Sequence, residues 1–415
     1  MDLLDNPVRD YPWGSAGDIP EFLGVQAGGG PVAELWMGAH PDSPSRVLRD
    51  GETRSLAEVI AADPEAELGR RVRDAFGPRL PFLLKLISAA RPLSLQVHPD
   101  RQHARRAYAA QQAADRAGRD YTDDNHKPEL VCALRDGFAG LCGFRPLAGT
   151  ADLLAALAVP GLAGFAARLD PADPAGSLRA LVTDTLTAPA DPALIAAVRA
   201  ACERVAAAPG RWAAACAAYA VVAVAYPADP GVLVALLLNY VELRAGEAVF
   251  VGAGVPHCYL NGFAAELMAS SDNVLRAGLT GKRVNVPELL RVLDFEPSEP
   301  ARLRPVPGGA PGDASGVNGT SGVNGTSQGP VADLAVYPAP VEDFQLSRLE
   351  VTDLAADLPG GRPQILLCTA GRVRLTDAAG RVLELRRGQS AYLPAADQRT
   401  LVTGDGTILR ATVGC

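Results

Sequence analysis

The spacing of apolar positions changes character twice along this chain. Over residues 1–145, runs of strand length alternate with turns: Pro81–Ile87 and Pro92–His98 read as strands around a turn at Ser88–Arg91, and His126–Leu134 is extended. Between them, Ala104–Ala117 is predicted as a helix. From about Leu147 to Val234 the pattern becomes Ala- and Leu-rich with a helical period, broken by Pro and Asp. The predicted helices are Thr150–Leu157, Pro174–Leu186, Pro192–Ala208, Trp212–Tyr226 and Asp229–Leu238. Strand, turn and strand return within Tyr240–Tyr259, as Val241–Leu243, Arg244–Glu247 and Ala248–Val251, and Gly246 suits the left-handed position of such a turn. Residues 307–330 are rich in Gly, Pro, Ser and Asn and repeat Ser-Gly-Val-Asn-Gly-Thr at 315–320 and 321–326, which predicts a flexible linker. The tail, 331–415, alternates short strands with Gly turns at Gln364–Thr369, Val373–Asp377, Val382–Leu385 and Ser390–Pro394. That pattern fits a second, smaller antiparallel barrel or sandwich.

A chain of 415 residues exceeds one ordinary core, so two or three packed units are expected. The beginning, Met1 to Asp5, has neither a basic nor an apolar signal region, and the longest apolar run, Ala213–Tyr226, is too short to span a bilayer. A cytoplasmic address is expected, so two Asn-Gly-Thr glycosylation matches in the linker are discounted. The net charge of −8 argues against a nucleic-acid partner and against an anionic membrane surface. An anionic substrate would need a local basic pocket. Seven cysteines without CxxC pairing read as free, packed thiols. Of 39 basic residues only Lys85, Lys127 and Lys282 are lysine. Under such pressure towards arginine, a surviving lysine points to a need for a compact ammonium or a tunable pKa.

Five histidines are available for chemistry. In Ser94-Leu95-Gln96-Val97-His98-Pro99 a strand puts Ser94, Gln96 and His98 on one face and Leu95 and Val97 on the other. In Asn125-His126-Lys127-Pro128-Glu129-Leu130, Lys127 and Glu129 share a face opposite His126. His257 follows the turn Ala253-Gly254-Val255-Pro256, just past a strand, which aims an imidazole into a barrel. Gln96, His98, Glu129 and His257 together offer two nitrogens and two oxygens, a donor set that suits zinc with an open position. The stretch Glu266 to Lys282 adds carboxylates for proton work and two cations, Arg276 and Lys282, for a phosphate.

Tyr11–Ser15, Glu34–Pro41, Pro92–Asp100, His126–Leu130, His257–Tyr259 and Glu266–Lys282 jointly resemble the type I mannose-6-phosphate isomerases, in order from residue 6 to about 295. The resemblance implies a mainly β fold: a cupin (jelly-roll or β-barrel) catalytic core, an α-helical inserted domain and a smaller C-terminal cupin-like β domain. The boundaries expected are 1–146 and 240–300 for the catalytic cupin, 147–239 for the insertion, 301–330 for the linker and 331–415 for the C-terminal domain. It implies one zinc per chain on Gln96, His98, Glu129 and His257, and places the family's active-site arginine at Arg276. Thr280-Gly281-Lys282 stands where the family commonly has Thr-Pro-Lys, which keeps the cation.

The implied reaction interconverts mannose 6-phosphate and fructose 6-phosphate through an enediol, supplying mannose precursors such as those of GDP-mannose. Zinc would act as a Lewis acid, while Lys127, Glu266 and Asp272 are candidates for the proton carrier. Arg276, Lys282, Lys85 and Ser94 would hold the phosphate or the enediolate charge. The partner is then a small sugar phosphate, and a monomer is expected. The competing readings are a cupin metal oxygenase, a non-catalytic sugar-phosphate-binding cupin, a glucose-6-phosphate isomerase and a guanylyl transferase; the last would need a Gly-rich phosphate loop that the sequence lacks. His40 is assigned a structural hydrogen-bonding role and His103 a place on the surface.

Overall fold

The computed structural model describes residues 1–49, 51–113, 119–307, 334–352 and 355–414. The Ser-Gly-Val-Asn-Gly-Thr repeat and the end of the Ala104–Ala117 helix lie outside the described residues. The architecture is mainly β with a helical insertion, the cupin fold. By internal contacts the chain divides into two units, residues 1–10, 16–86 and 303–415 in one, and 11–15 and 87–302 in the other. This partition joins the tail to much of the N-terminal region, whereas the sequence reading groups 1–146 with 240–300 and sets 331–415 apart.

In the first unit, the strands pair in the order Asp2–Leu3, Ser390–Leu393, Gln364–Asp377, Arg399–Thr412, Gln345–Val351, Leu334–Val336 and Val306–Pro307. Each of these pairings is antiparallel, and Leu349, Leu366, Cys368, Val373, Leu375, Leu393 and Ile408 fill the interior. The two short strands predicted at Gln364–Thr369 and Val373–Asp377 are one strand, Gln364–Asp377. Ala370-Gly371 looks like a turn in sequence but is paired strand, opposite Thr407 and Gly406, next to a bulge at Thr369 where the register shifts between Cys368 and Ala370. Gly371 has φ +68, and a Cβ there would stand 2.1 Å from the Asp405 carbonyl oxygen, so only glycine lets the long strands meet.

In the second unit, Leu238–Leu243 pairs with Phe138–Phe144, which pairs with the long strand His257–Ala269. The same strand pairs with Leu95–Val97 through its first residue and with Glu129–Ala133 through its C-terminal half. Leu275–Gly278 and Ala248–Val251 flank those two. One strand therefore borders each segment singled out for chemistry. Behind Leu95, Val97, Leu141 and Phe144 lies a core shared with the inserted helices, including Leu153, Leu181, Val198 and Tyr219.

The insertion forms where the periodicity places it, as Leu147–Leu157, Pro174–Thr187, Pro192–Ala206, Ala213–Ala225 and a short Gly231–Ala235. Two starts share one device: Asp173 and Asp191 cap Gly176 and Leu194, at 3.0 and 2.9 Å, ahead of a proline at the first turn. Each such cap contributes about 1 kcal/mol. The helix predicted at Asp229–Leu238 is cut short because Leu238 joins the sheet opposite Phe144. The helix predicted from Ala104 begins at Arg101, since Asp100 accepts the His103 amide at 2.7 Å. No helix among the described residues is long and apolar enough to cross a membrane.

Candidate active site

Strand register brings the metal candidates together in the second unit. Gln96 lies directly opposite His257 on one side and Arg276 on the other, and cross-strand partners share a face. Glu129 begins its strand opposite Met268, and Val131, two residues on, lies opposite Glu266. Glu266 therefore stands on the face of Glu129. Leu95 and Val97 are fully buried while Ser94 and Gln96 are half-buried, the alternation expected of this segment.

Around the Glu129 carboxylate the geometry is tight. His98 Nε2 is 3.1 Å from Oε1 and His257 Nε2 is 3.4 Å from Oε2. The Lys127 ammonium lies 2.9 Å from Oε1, and the Tyr259 hydroxyl donates to Oε2 at 2.9 Å. All five side chains are buried. Both imidazoles are oriented from behind: His98 Nδ1 donates to the Asn273 carbonyl at 2.8 Å and His257 Nδ1 to the Val255 carbonyl at 3.0 Å.

These bonds fix where the lone pairs point. A carbonyl can only accept, so each Nδ1 carries a proton, and a neutral ring then turns an Nε2 lone pair towards Glu129. Burial, with the Lys127 charge nearby, pushes the His98 pKa down to about 4, so this ring is neutral near pH 7. Burial alone would raise the Glu129 carboxyl, but the Lys127 ammonium holds it well below the usual range. His98 Nε2, fully buried, finds no hydrogen-bond partner. Acceptors that converge without a proton between them require a cation, and His98, Glu129 and His257 are close enough to share one metal ion. Two nitrogens and a carboxylate, each imidazole braced by a backbone carbonyl, fit zinc.

The remaining candidates are placed less uniformly. Glu266 is buried, Asp272 half-buried, and Arg276 half-buried with its pKa lowered by burial. Ser94 immediately precedes the Gln96 strand. Lys282 is exposed, its amide bonded to the Thr280 hydroxyl at 3.0 Å. Lys85 belongs to the first unit, buried with its ammonium 4.9 Å from the Trp36 ring centre. His40, also in that unit, is buried against Trp36 and accepts the Asp42 amide at 3.3 Å, a structural role. His103 corrects an expectation. Instead of lying free on the surface, it is half-buried, with Nε2 2.7 Å from Glu288 Oε1, an oxygen that also accepts the Tyr121 hydroxyl. Three contributors were given no role by the sequence reading: Tyr259 and Asn273, inside recognised segments, and Asp123. Their partners lie far away in sequence, and only register or loop contacts reveal them.

The family model described as phosphomannose isomerase type I, catalytic domain, matches residues 1–147. The chain is 37% identical over 422 residues to the mannose-6-phosphate isomerase of Escherichia coli, with 99% of each covered. It is 31% identical to that of Bos taurus, covering 95% of this chain and 93% of the other. Among solved structures, it is similar to a mannose 6-phosphate isomerase bound with zinc and yttrium, with a TM-score of 0.85, 35% identity and 100% of both chains covered. It is also similar to an arginine-to-alanine mutant of the phosphomannose isomerase from Salmonella typhimurium, with a TM-score of 0.86, 34% identity and 100% coverage of both.

Proposed function

The chain belongs to the type I phosphomannose isomerase family, a zinc-dependent aldose–ketose isomerase interconverting mannose 6-phosphate and fructose 6-phosphate, and we propose that Gln96, His98, Glu129 and His257 hold its metal. The observation that carries the assignment is the pair of Nε2 lone pairs facing one carboxylate that Lys127 keeps ionised. When bound, zinc supplies a Lewis acid that draws off negative charge developing on the sugar oxygen beside the reacting carbons.

The chain's own groups do the rest. Lys127, Glu266 and Asp272 are the candidates for moving the proton between the first and second carbons, and Lys127 and Glu266 are both buried. Arg276, opposite Gln96 in register, takes the charge of the enediolate or of the phosphate. Ser94 and Lys282 complete the hold on the phosphate, which orients the sugar over the reacting centre. A buried set of neutral and paired groups also keeps bulk water from the site. The protein works as a monomer in the cytoplasm; the cytoplasmic address is supported by six buried cysteines that are all unpaired among the described residues.

The test is metal content. His98→Ala and His257→Ala should each lose zinc and isomerase turnover, and His103→Ala should keep both. Equal metal loss from all three variants would show that the ligand set is wrong.

A further inference from the structure

A zinc ligand is only as well placed as what braces it, and the brace behind His98 is a loop rather than a strand. The Asn273 carbonyl that receives His98 Nδ1–H sits in the bend between the strands His257–Ala269 and Leu275–Gly278. Nothing in the sheet ladder fixes that bend. Asp123, about 150 residues away in sequence, does. Its carboxylate accepts the Ser271 hydroxyl at 2.8 Å, the Asp272 amide at 2.9 Å, the Asn273 side-chain amide at 3.1 Å, the Asn125 backbone amide at 2.9 Å and the Thr122 hydroxyl at 3.2 Å.

The contact is reciprocal. Asn273 Oδ1 accepts the Thr122 amide at 2.9 Å and the Asp123 amide at 3.4 Å, while its Nδ2 also donates to the Asp123 and Asn125 carbonyls at 2.9 and 2.8 Å. Ser271, Asn273 and Asn125 are buried, so water does not replace these bonds readily. The two joined loops lead straight into site elements. Residues 121–125 run on to Lys127 and Glu129, and residues 270–273 to Asp272 and Arg276. One carboxylate thus fixes the carbonyl that sets the His98 tautomer, and the approach of the two strands carrying Glu129 and Arg276.

We propose that Asp123 is the positioning residue of the metal centre, acting through Ser271 and Asn273 on His98. The proposal rests on the reading of His98, Glu129 and His257 as zinc ligands. It requires no contact between Asp123 and metal or substrate. An aspartate is needed because five donors converge on it, and an asparagine could accept with only one oxygen.

The experiment uses the full chain and measures zinc affinity by competition with a chromogenic chelator, alongside thermal unfolding of the metal-free protein. Asp123→Asn should weaken zinc binding by about 10- to 100-fold, the loss typical when a partner behind a ligand is removed. The zinc concentration giving half-maximal isomerase activity should rise by the same factor. Ser271→Ala, which removes one of the five donors and is mild enough to fold, should weaken zinc binding in the same direction by less. Asp229→Asn is the control for a merely structural effect. Asp229 ties another loop by accepting the Gly231 and Thr280 amides at 2.7 and 2.9 Å, and should lower thermal stability while leaving zinc affinity intact. Zinc affinities within twofold of wild type in both Asp123→Asn and Ser271→Ala would overturn the proposal, as would an equal loss in Asp229→Asn. His257→Ala separates the two levels: if it binds zinc as wild type does, the ligand reading itself fails.

Discussion

Tyr259→Phe deletes a single oxygen from the site and leaves its shape. The hydroxyl donates to Glu129 Oε2 at 2.9 Å, and burial beside Glu129 holds the phenol well above its ordinary pKa, so it is a proton donor throughout the physiological range. Tyr259 is 6% exposed, so little water can take over the bond. The ring packs edge-on against Phe138, 5.5 Å between centres, and phenylalanine keeps that contact. A hydrogen bond to a buried charged acceptor contributes about 1.5–3 kcal/mol. If that bond serves chiefly to aim the carboxylate at the metal, zinc affinity should fall about 10- to 100-fold, since about 1.4 kcal/mol is a factor of ten. Chelator competition on the purified variant measures the fall, and circular dichroism checks that the fold is intact. Zinc affinity within twofold of wild type, in a folded variant, would refute the claim that Tyr259 orients Glu129.

Arg276→Ala should keep its zinc and its unfolding temperature but lose about two to three orders of magnitude in rate. Damage confined to KM would identify a phosphate anchor, and damage in kcat an enediolate stabiliser; normal turnover would remove the residue from the mechanism. Lys127→Arg should lose activity beyond any loss of stability, because a planar guanidinium cannot replace the ammonium 2.9 Å from Glu129, and the same exchange at Lys85 and Lys282 tests whether all three lysines are retained for function. Wild-type-like rates in all three arginine variants would contradict it. The metal-free protein should lose stability as pH falls from 6.5 towards 4, because the unfolded His98 imidazole takes a proton that the folded one, with its pKa near 4, refuses. The depressed Glu129 carboxyl adds to the loss below its ordinary 4.5 in the same direction. Denaturant unfolding across that range should show a shallower decline in His98→Gln, and identical slopes would contradict the assignment.

Much of the site was legible because strand alternation is a strict rule. Ser94 and Gln96 opposite Leu95 and Val97 need only a period of two, and the burial follows it, while His98, just past the strand, is fully buried beside Glu129. Lys127 beside Glu129 obeys the same rule. What the sequence could not show is pairing between distant segments. The meeting of Tyr259 with Glu129 and of Asp123 with Ser271 depends on register and loop closure, which leave no local pattern. Local readings failed where tertiary contacts prevailed: at Gly371, where a glycine that suggests a turn lies inside a long strand against Gly406, and at Leu238, where a helical pattern yields to a strand. His103 failed for a related reason, since its partner Glu288 lies on a distant helix.

The most direct test is turnover of mannose 6-phosphate to fructose 6-phosphate by the full chain before chelation, after removal of metal, and after zinc is returned, with metal analysis at each stage. About one zinc per chain, activity abolished on removal and recovered with zinc, is the expected result. Full activity in protein proven free of metal would contradict it.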